Sequence, residues 1–284
     1  MKSHLFINTL VLLILSTACN DNEDPLIVQP ESRAFLFEDG FETQSPTIDE
    51  LFQADNSRWT TIQQTDPTNA TNEINVSSVQ ASEGQQSLRL LSNQSDASLS
   101  KVDIEKGGLN IQAGDQVTIN ADFFITSSES LKNLLLIDLE CCNCWDPSVG
   151  DNYGAENQCP GVRLIMSGGN DFLSIERGKI SGTTLQQTSF AFPRNEWVTV
   201  RWEMTLSDED SGLNKLTIND MVVIDETGMN LPNAQVFSDV FAAEGINFTL
   251  QEPTAYERVQ IGATANPTAP TVEMYVDNFS IEVE

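Results

Sequence analysis

The strongest constraint on the fold is an alternation of apolar and polar residues that recurs along the chain in short segments. In the segment DQVTINADFFIT, the apolar residues at every second position are Val117, Ile119, Ala121, Phe123 and Ile125. In the segment WVTVRWEMTL, they are Val198, Val200, Trp202, Met204 and Leu206. Successive side chains of a β-strand point to opposite faces, so this pattern predicts strands with one buried face.

The spacing of these segments predicts an all-β architecture. Turn residues separate them, and the segments KLTIND and MVVIDE flank Asn219 and Asp220 as the two arms of a hairpin would. No convincing long helical period interrupts the run. About a dozen short strands in one unbroken series predict a two-sheet antiparallel β-sandwich, a jelly roll, formed by residues 33–284 as a single domain.

The first 18 residues have the features of a signal peptide: one lysine, an apolar run and small residues before Cys19. STAC resembles a bacterial lipobox, and CNDNED resembles the surface-export signal of Bacteroidetes lipoproteins. The resemblance implies a lipid on Cys19 that anchors the protein at the cell outer membrane, exposed at the surface. The alternative is an ordinary secretory signal with Cys19 unmodified. Residues 19–32 are polar, acidic and contain two prolines, which is typical of a flexible tether.

Charge and histidine content exclude several functions. The chain carries 42 Asp and Glu against 14 Lys and Arg, for a formal charge of −28. Nucleic acids and anionic membrane surfaces are bound by basic residues, so neither is an expected partner, and membrane contact is expected through the lipid alone. The single histidine, His4, lies in the signal segment. A mature chain without histidine cannot use Ser-His-Asp or Cys-His catalysis.

Three further motifs suggest a particular kind of jelly roll. They are FEDGFE near residue 40, ASEGQQSLRL with its glycine before a strand, and YVDNFSIEV at the end of the chain. Their order and spacing resemble the concanavalin A-like and carbohydrate-binding-module jelly rolls. That fold hosts hydrolases, lyases, lectins and adhesins, so the resemblance implies the fold and leaves the function open.

The same resemblance implies a structural calcium ion. In such modules an acid of the first strand and an acid of the last strand often hold one cation, because these strands pair side by side. The corresponding residues here are Glu38 and Asp277, with Asp39 and Asn278 nearby. The alternative is that these acids are outward strand positions on a very acidic surface.

Four cysteines fall within one short segment: Cys141, Cys142, Cys144 and Cys159. Outside the cytoplasm, four cysteines predict two disulfides. Three connectivities are possible. Adjacent strand residues point to opposite faces, so Cys141–Cys142 is the least expected bond. Of the other two connectivities, we favour Cys141–Cys144 with Cys142–Cys159. The alternative, a four-cysteine zinc site, is disfavoured by the tight spacing and the oxidising location.

The segment between these cysteines has the residues of a sugar-binding loop. Aromatic rings stack on pyranose faces, while carboxylates and amides bind hydroxyls, and loops often carry function. The candidates are Trp145, Asp146, Asn152 and Tyr153, with Trp197 as a further aromatic residue of a groove. The alternative is that Trp145 only packs on the disulfides.

The segment LIDLE resembles the E-x-D-x-x-E signature of family 16 glycoside hydrolases. Asp138 and Glu140 would match the last two acids, but Leu136 occupies the nucleophile position. Retaining hydrolysis needs two carboxylates, so the resemblance implies no catalysis by this motif. Asp138 and Glu140 share one strand face and are expected to line a binding groove or to pair with Arg163 or Arg201.

The leading hypothesis is therefore a surface-anchored lipoprotein that captures a glycan or polysaccharide without catalysis, within an uptake system that includes outer-membrane proteins. One alternative is an enzyme of the same fold, a glycoside hydrolase or a polysaccharide lyase. A lyase would need a tyrosine base, and the chain offers Tyr153, Tyr256 and Tyr275. The other alternative is a structural or adhesive surface protein.

Overall fold

The computed structural model describes residues 34–45, 47–95, 100–126, 129–131, 134–142, 144, 161–167, 171–177, 183–243, 245, 247, 249–265 and 270–284. Within these ranges the chain forms fifteen strands. They are β1 (Phe35–Asp39), β2 (Thr61–Thr65), β3 (Glu73–Ser77), β4 (Ser87–Ser92), β5 (Lys101–Ile111), β6 (Gln116–Ile125), β7 (Leu134–Glu140), β8 (Gly161–Ser167), β9 (Phe172–Arg177), β10 (Thr183–Ala191), β11 (Trp197–Thr205), β12 (Leu213–Ile218), β13 (Met221–Thr227), β14 (Tyr256–Ala265) and β15 (Val272–Val283).

The strands form two antiparallel sheets. Sheet A has the order β13-β12-β11-β6-β15-β4-β3, and β1 also pairs with β15. Sheet B has the order β10-β9-β8-β7-β14-β5-β2. The fold is therefore the all-β two-sheet sandwich that the sequence predicted, and Arg33–Glu284 form one compact unit.

The predicted alternation decides which side chains enter the core. The five apolar residues of β6 named above are buried, and so are Val198, Val200, Trp202 and Met204 of β11. The two strands pair in register, with Trp202 opposite Ile119. Sheet B contributes its own apolar positions, such as Ile104 of β5 and Ile261 of β14, to the same core. Burial of these paired apolar faces is the main force that holds the sheets together.

The turns also follow the sequence. Asn219 and Asp220 connect β12 to β13 with φ angles of 46° and 64°. A two-residue hairpin needs both residues in the left-handed region, which Asn and Asp adopt more readily than most residues. The first and last strands pair as the resemblance implied, with Glu38 opposite Ser280.

A helix interrupts the series of strands, which the sequence did not predict. It spans Ala234–Ala243 and buries Phe237 and Phe241, four residues apart on one face. With ten residues, it is too short for its period to stand out among the apolar segments around it. Among the described residues, no helix is both long and apolar enough to cross a membrane.

Candidate functional site

The face of sheet B that points away from sheet A carries a row of charged and amide side chains, which we call the polar ladder. Along each central strand these residues alternate with core residues, as Asp103 and Glu105 alternate with Val102 and Ile104. The polar ladder consists of Lys101, Asp103 and Glu105 on β5, Arg258 and Gln260 on β14, Asp138 and Glu140 on β7, Arg163 on β8, and Glu176 on β9.

Strand register brings these residues together across the sheet. Glu105 lies opposite Gln260, which lies opposite Asp138 on its other side. Asp138 in turn lies opposite Arg163, and Arg163 opposite Glu176. Directly opposite side chains in an antiparallel pair are about 5 Å apart at Cβ, so this row forms one continuous surface across five strands.

One amide connects two acids of the polar ladder. The Nε2 atom of Gln260 donates to Glu105 Oε1 and to Glu140 Oε2, at 2.7 Å in each case. The two carboxylates are therefore about 5 Å apart at these oxygens. Arg258 Nη1 also donates to Glu105 Oε2 at 3.1 Å, and the amide of Gln63 donates to Glu105 Oε1.

Asp103 is buried among other acids. Its exposure is 0%, and neither carboxyl oxygen has a hydrogen-bond partner among the described residues. Lys101 Nζ lies 3.7 Å from its Oδ2. Burial raises the pKa of Asp103 to about 8; Lys101 opposes this shift, and the charges of Glu105, Glu140 and Asp138 add to it. Asp103 therefore keeps its proton up to mildly alkaline pH.

Arg163 has unused hydrogen-bonding capacity. Its side chain is 10% exposed, and its Nε lies 3.7 Å from Asp138 Oδ2, which is too long for a hydrogen bond. Within the described part of the chain, Nε and Nη2 have no acceptor. Buried donors without acceptors are costly, so this guanidinium is suited to receive the oxygen atoms of a ligand.

The predicted ligand-binding residues separate onto two faces. Asp138, Glu140 and Arg163 lie together in the polar ladder. Trp197 and Arg201 lie on the outer face of sheet A, on the opposite side of the sandwich. There Trp197 packs edge-on against Phe124 at 5.6 Å, and Arg201 Nη2 lies 3.1 Å from Glu203 Oε1. Arg201 therefore does not pair with Asp138 or Glu140, because strand β11 belongs to the other sheet.

The predicted sugar-binding loop connects two strands of the polar ladder. The chain leaves β7 at Glu140 and enters β8 at Gly161, and these two residues are cross-strand neighbours. The structure forms the disulfide Cys141–Cys144 at the start of this connection. The other predicted residues, Trp145, Asp146, Asn152, Tyr153 and Cys159, lie outside the described residues, as does Cys19.

The three acids proposed for calcium lie in different surroundings. Glu38 is exposed, whereas Asp39, the next residue of β1, is buried. The carboxylate of Asp39 accepts hydrogen bonds from Arg58 Nε and Trp59 Nε1, both at 2.9 Å. An acid that is already neutralised by an arginine is a poor ligand for a cation.

Asp277 has a different set of donors. Its Oδ2 accepts from the backbone N–H groups of Ser82 and Glu83 at 2.8 and 3.2 Å, and its Oδ1 accepts from that of Asn278 at 2.8 Å. Among the described residues, no group of three or more Asp, Glu, Cys or His side chains is placed to hold a metal. The set Glu38, Asp39 and Asp277 therefore does not fit one calcium ion, and calcium stays a prediction of the resemblance.

The described tyrosines have other hydrogen-bond partners. Tyr256 is buried and its hydroxyl donates to the backbone oxygen of Asn230 at 2.6 Å. Burial raises the pKa of Tyr256 well above its usual value, which keeps the hydroxyl protonated. The hydroxyl of Tyr275 lies 3.1 Å from Glu273 Oε1, on sheet A. Both hydroxyls therefore take part in hydrogen bonds within the described residues.

Six residues of the polar ladder escaped prediction from the sequence: Lys101, Asp103, Glu105, Glu176, Arg258 and Gln260. A signal for all but Glu176 existed in the segments KVDIEKG and ERVQIGA, where charged or amide residues alternate with apolar ones. Alternation shows that such residues share a face of one strand. It does not show that β14 lies between β5 and β7, which is what makes them neighbours.

Comparisons with solved structures identify the fold. No protein-family model and no curated protein matches the sequence. Among solved structures, an endo-β-1,4-glucuronan lyase from the fungus Trichoderma reesei is similar with a TM-score of 0.53 and 10% identity, over 78% of this chain and 90% of that one. Cellulose induced protein Cip1 is similar with a TM-score of 0.53 and 13% identity, over 86% and 96%.

The alginate lyase Aly36B is similar with a TM-score of 0.50 and 9% identity, over 87% of this chain and 96% of that one. At these identities the similarity shows the fold alone. The protein thus has a concanavalin A-like jelly-roll sandwich, a fold that it shares with polysaccharide lyases and Cip1.

Proposed function

We propose that this protein binds a glycan at the polar ladder and does not cleave it. The observation that carries the proposal is Arg163, whose buried Nε and Nη2 lack acceptors among the described residues. Sugar hydroxyls supply oxygen acceptors of the kind this side chain is missing. The fold shared with carbohydrate-active proteins supports the same function.

The exposed edge of the polar ladder provides the contact surface. The side chain of Arg258 is 29% exposed, Glu176 is partly exposed, and so is Gln63 of β2 beside the polar ladder. The loop that begins after Glu140 would add the stacking residues Trp145 and Tyr153. Asp146 and Asn152 of the same loop would add polar contacts to sugar hydroxyls.

We propose the cell outer membrane as the location, with the protein anchored through a lipid on Cys19 and partnered with polysaccharide-uptake proteins. The support is the sequence of residues 1–24. The test is fractionation of cells that produce the chain or its Cys19→Ala variant. We expect the parent in the membrane fraction and the variant in the soluble fraction. An unchanged distribution would contradict lipidation.

The binding proposal is tested with the purified protein and a panel of polysaccharides, by affinity gel electrophoresis together with assays for reducing ends and unsaturated uronates. We expect retarded migration on at least one glycan and no product. Binding to none of a broad panel would contradict the proposal and favour an adhesive or structural role.

A second function, glycoside hydrolysis, is favoured by one observation. Glu105 and Glu140 share the Gln260 nitrogen at 2.7 Å each, and a spacing of about 5–5.5 Å between carboxyl groups is typical of retaining glycosidases. This pair differs from the one that the LIDLE motif suggested, because Glu105 replaces the acid missing at Leu136. Production of new reducing ends by the parent protein, and its loss in both Glu105→Gln and Glu140→Gln, would establish hydrolysis.

A further inference from the structure

The polar ladder carries more acids than bases, and this excess decides which glycans it accepts. Apart from Asp103, which keeps its proton at neutral pH, the acids are Glu105, Asp138, Glu140 and Glu176, and the bases are Lys101, Arg163 and Arg258. A carboxylate-bearing sugar at this face would meet a surface of its own sign. The inference below rests on the proposed glycan-binding function.

Each base of the polar ladder already has acidic neighbours. Arg163 stands between Asp138 and Glu176, its cross-strand partners on either side. Arg258 Nη1 lies 3.1 Å from Glu105 Oε2, and Glu140 is its cross-strand partner on β7.

Lys101 Nζ lies 3.7 Å from Asp103 Oδ2, but Asp103 keeps its proton at neutral pH and does not neutralise the ammonium group. Recognition of a uronate carboxylate needs a guanidinium or ammonium that is not already neutralised. Neither arginine of the polar ladder meets this condition, and Lys101 on β5 lies three strands away from Arg163 on β8.

The surroundings of the polar ladder strengthen its repulsion of anionic glycans. Several of the acids are buried, including Glu105, Asp138 and Glu140, and water screens buried charges less than exposed ones. The protein as a whole carries a formal charge of −28, so its long-range field also repels a polyanion. The N–H donors of Arg163 then remain available to bind the oxygen atoms of uncharged sugars.

We propose that the polar ladder selects uncharged glycans and excludes polyuronates, and that Asp138 is a residue that determines this specificity. Asp138 faces Arg163 directly, so its negative charge occupies the position where a uronate carboxylate would have to bind. Removal of that charge leaves the guanidinium of Arg163 able to bind an anionic group.

The test compares binding of the purified protein to uncharged glucans and mannans with binding to alginate and polygalacturonate, at low and high salt. The variants are Asp138→Asn and Glu140→Gln in the polar ladder, and Glu282→Gln as the control. Glu282 is exposed on β15 of sheet A, so the control removes the same charge from the other face. Circular dichroism checks that each variant is folded.

We expect the parent to bind an uncharged glycan and neither polyuronate at either salt concentration. We expect Asp138→Asn or Glu140→Gln to gain polyuronate binding by roughly tenfold or more over the parent, while Glu282→Gln does not. A gain of binding cannot result from a loss of folding.

Three results would overturn the inference. Preferential binding of the parent to a polyuronate would overturn the specificity and leave the glycan-binding function standing. Equal gains in Asp138→Asn and Glu282→Gln would assign the selection to overall charge rather than to the polar ladder. Binding of the parent to no glycan would remove the proposed function, and this inference with it.

Discussion

Glu105 and Glu140 stand on strands that do not touch, yet their carboxylates accept hydrogen bonds from one nitrogen, Nε2 of Gln260, at 2.7 Å each. Gln260 lies on β14, the strand between them. A neutral amide thus holds two buried acids in place. Hydrogen bonds to charged groups contribute more than those between neutral groups, so this residue is central to the stability of the polar ladder.

Replacement of Gln260 by leucine removes both donors and leaves two buried carboxylates with fewer partners. We expect the free energy of unfolding to fall by about 2–3 kcal/mol, measured by urea denaturation. Gln85→Leu is the matched control, because the Gln85 side chain is exposed, and it should change stability by less than about 0.5 kcal/mol. Equal effects of the two variants would show that the bridge contributes nothing.

Asp103 predicts a pH dependence of stability. Its pKa is about 8 in the folded protein, above the ordinary value of 3.8. A raised pKa contributes stability that is fully present below pH 3.8 and is lost as pH rises through about 8. Ionisation of this group should therefore lower the melting temperature as the pH rises from about 5 to about 9, which is roughly one unit above the pKa of Asp103 in the folded protein.

The variant Asp103→Asn cannot ionise, so its melting temperature should fall less over the same pH range and should exceed that of the parent at pH 9. Asp225→Asn, at an exposed position of β13, is the control and should keep the slope of the parent. An Asp103→Asn variant with the slope of the parent would contradict a buried neutral acid at this position.

Asp39 anchors the first strand. Its carboxylate binds Arg58 and the indole nitrogen of Trp59, and its side chain is 2% exposed. We expect Asp39→Ala to lower the free energy of unfolding by roughly 2–4 kcal/mol, because it leaves Arg58 and the Trp59 N–H without their acceptor. Trp59 fluorescence should change in the folded state.

The control for this prediction is Glu38→Ala, one residue away on the exposed face of the same strand. An isolated surface acid contributes little, so its effect should stay within about 0.5 kcal/mol. A larger loss of unfolding free energy in Glu38→Ala than in Asp39→Ala would contradict the prediction. It would indicate a binding role for Glu38 that the hydrogen bonds of the strand do not explain.

Asp277 allows the calcium prediction to be tested. Its carboxylate accepts hydrogen bonds from three backbone N–H groups, those of Ser82, Glu83 and Asn278. Asp277→Ala should therefore cost about 1–3 kcal/mol through these hydrogen bonds alone, by the same amount in EDTA and in calcium. A loss that is present in calcium and vanishes in EDTA would instead make Asp277 a calcium ligand.

The fold was predictable because its signal is local. The alternation in β6 and β11 identified the buried residues of both strands, and Asn219 with Asp220 identified a hairpin turn. The helix Ala234–Ala243 was missed because it is short and lies among apolar segments. Strand number was also underestimated, since short strands such as β2 carry few apolar residues.

The site was predictable only within single strands. Asp138 and Glu140 could be assigned to one face, because they are two residues apart on β7. Their neighbours Glu105 and Gln260 are distant in sequence and meet them only through the strand order of sheet B. The same strand order separates Trp197 and Arg201 from this face, since a sequence pattern does not say which sheet a strand joins.

The proposed function places glycan binding at the polar ladder and not on sheet A. The most direct measurement is the affinity for the best glycan of the panel in the parent, Arg163→Gln and Arg201→Gln, determined by isothermal titration calorimetry. We predict that Arg163→Gln weakens binding by about tenfold or more, equivalent to about 1.4 kcal/mol, and that Arg201→Gln leaves it unchanged. Loss of binding in Arg201→Gln with none in Arg163→Gln would contradict the claim and place the site on the outer face of sheet A.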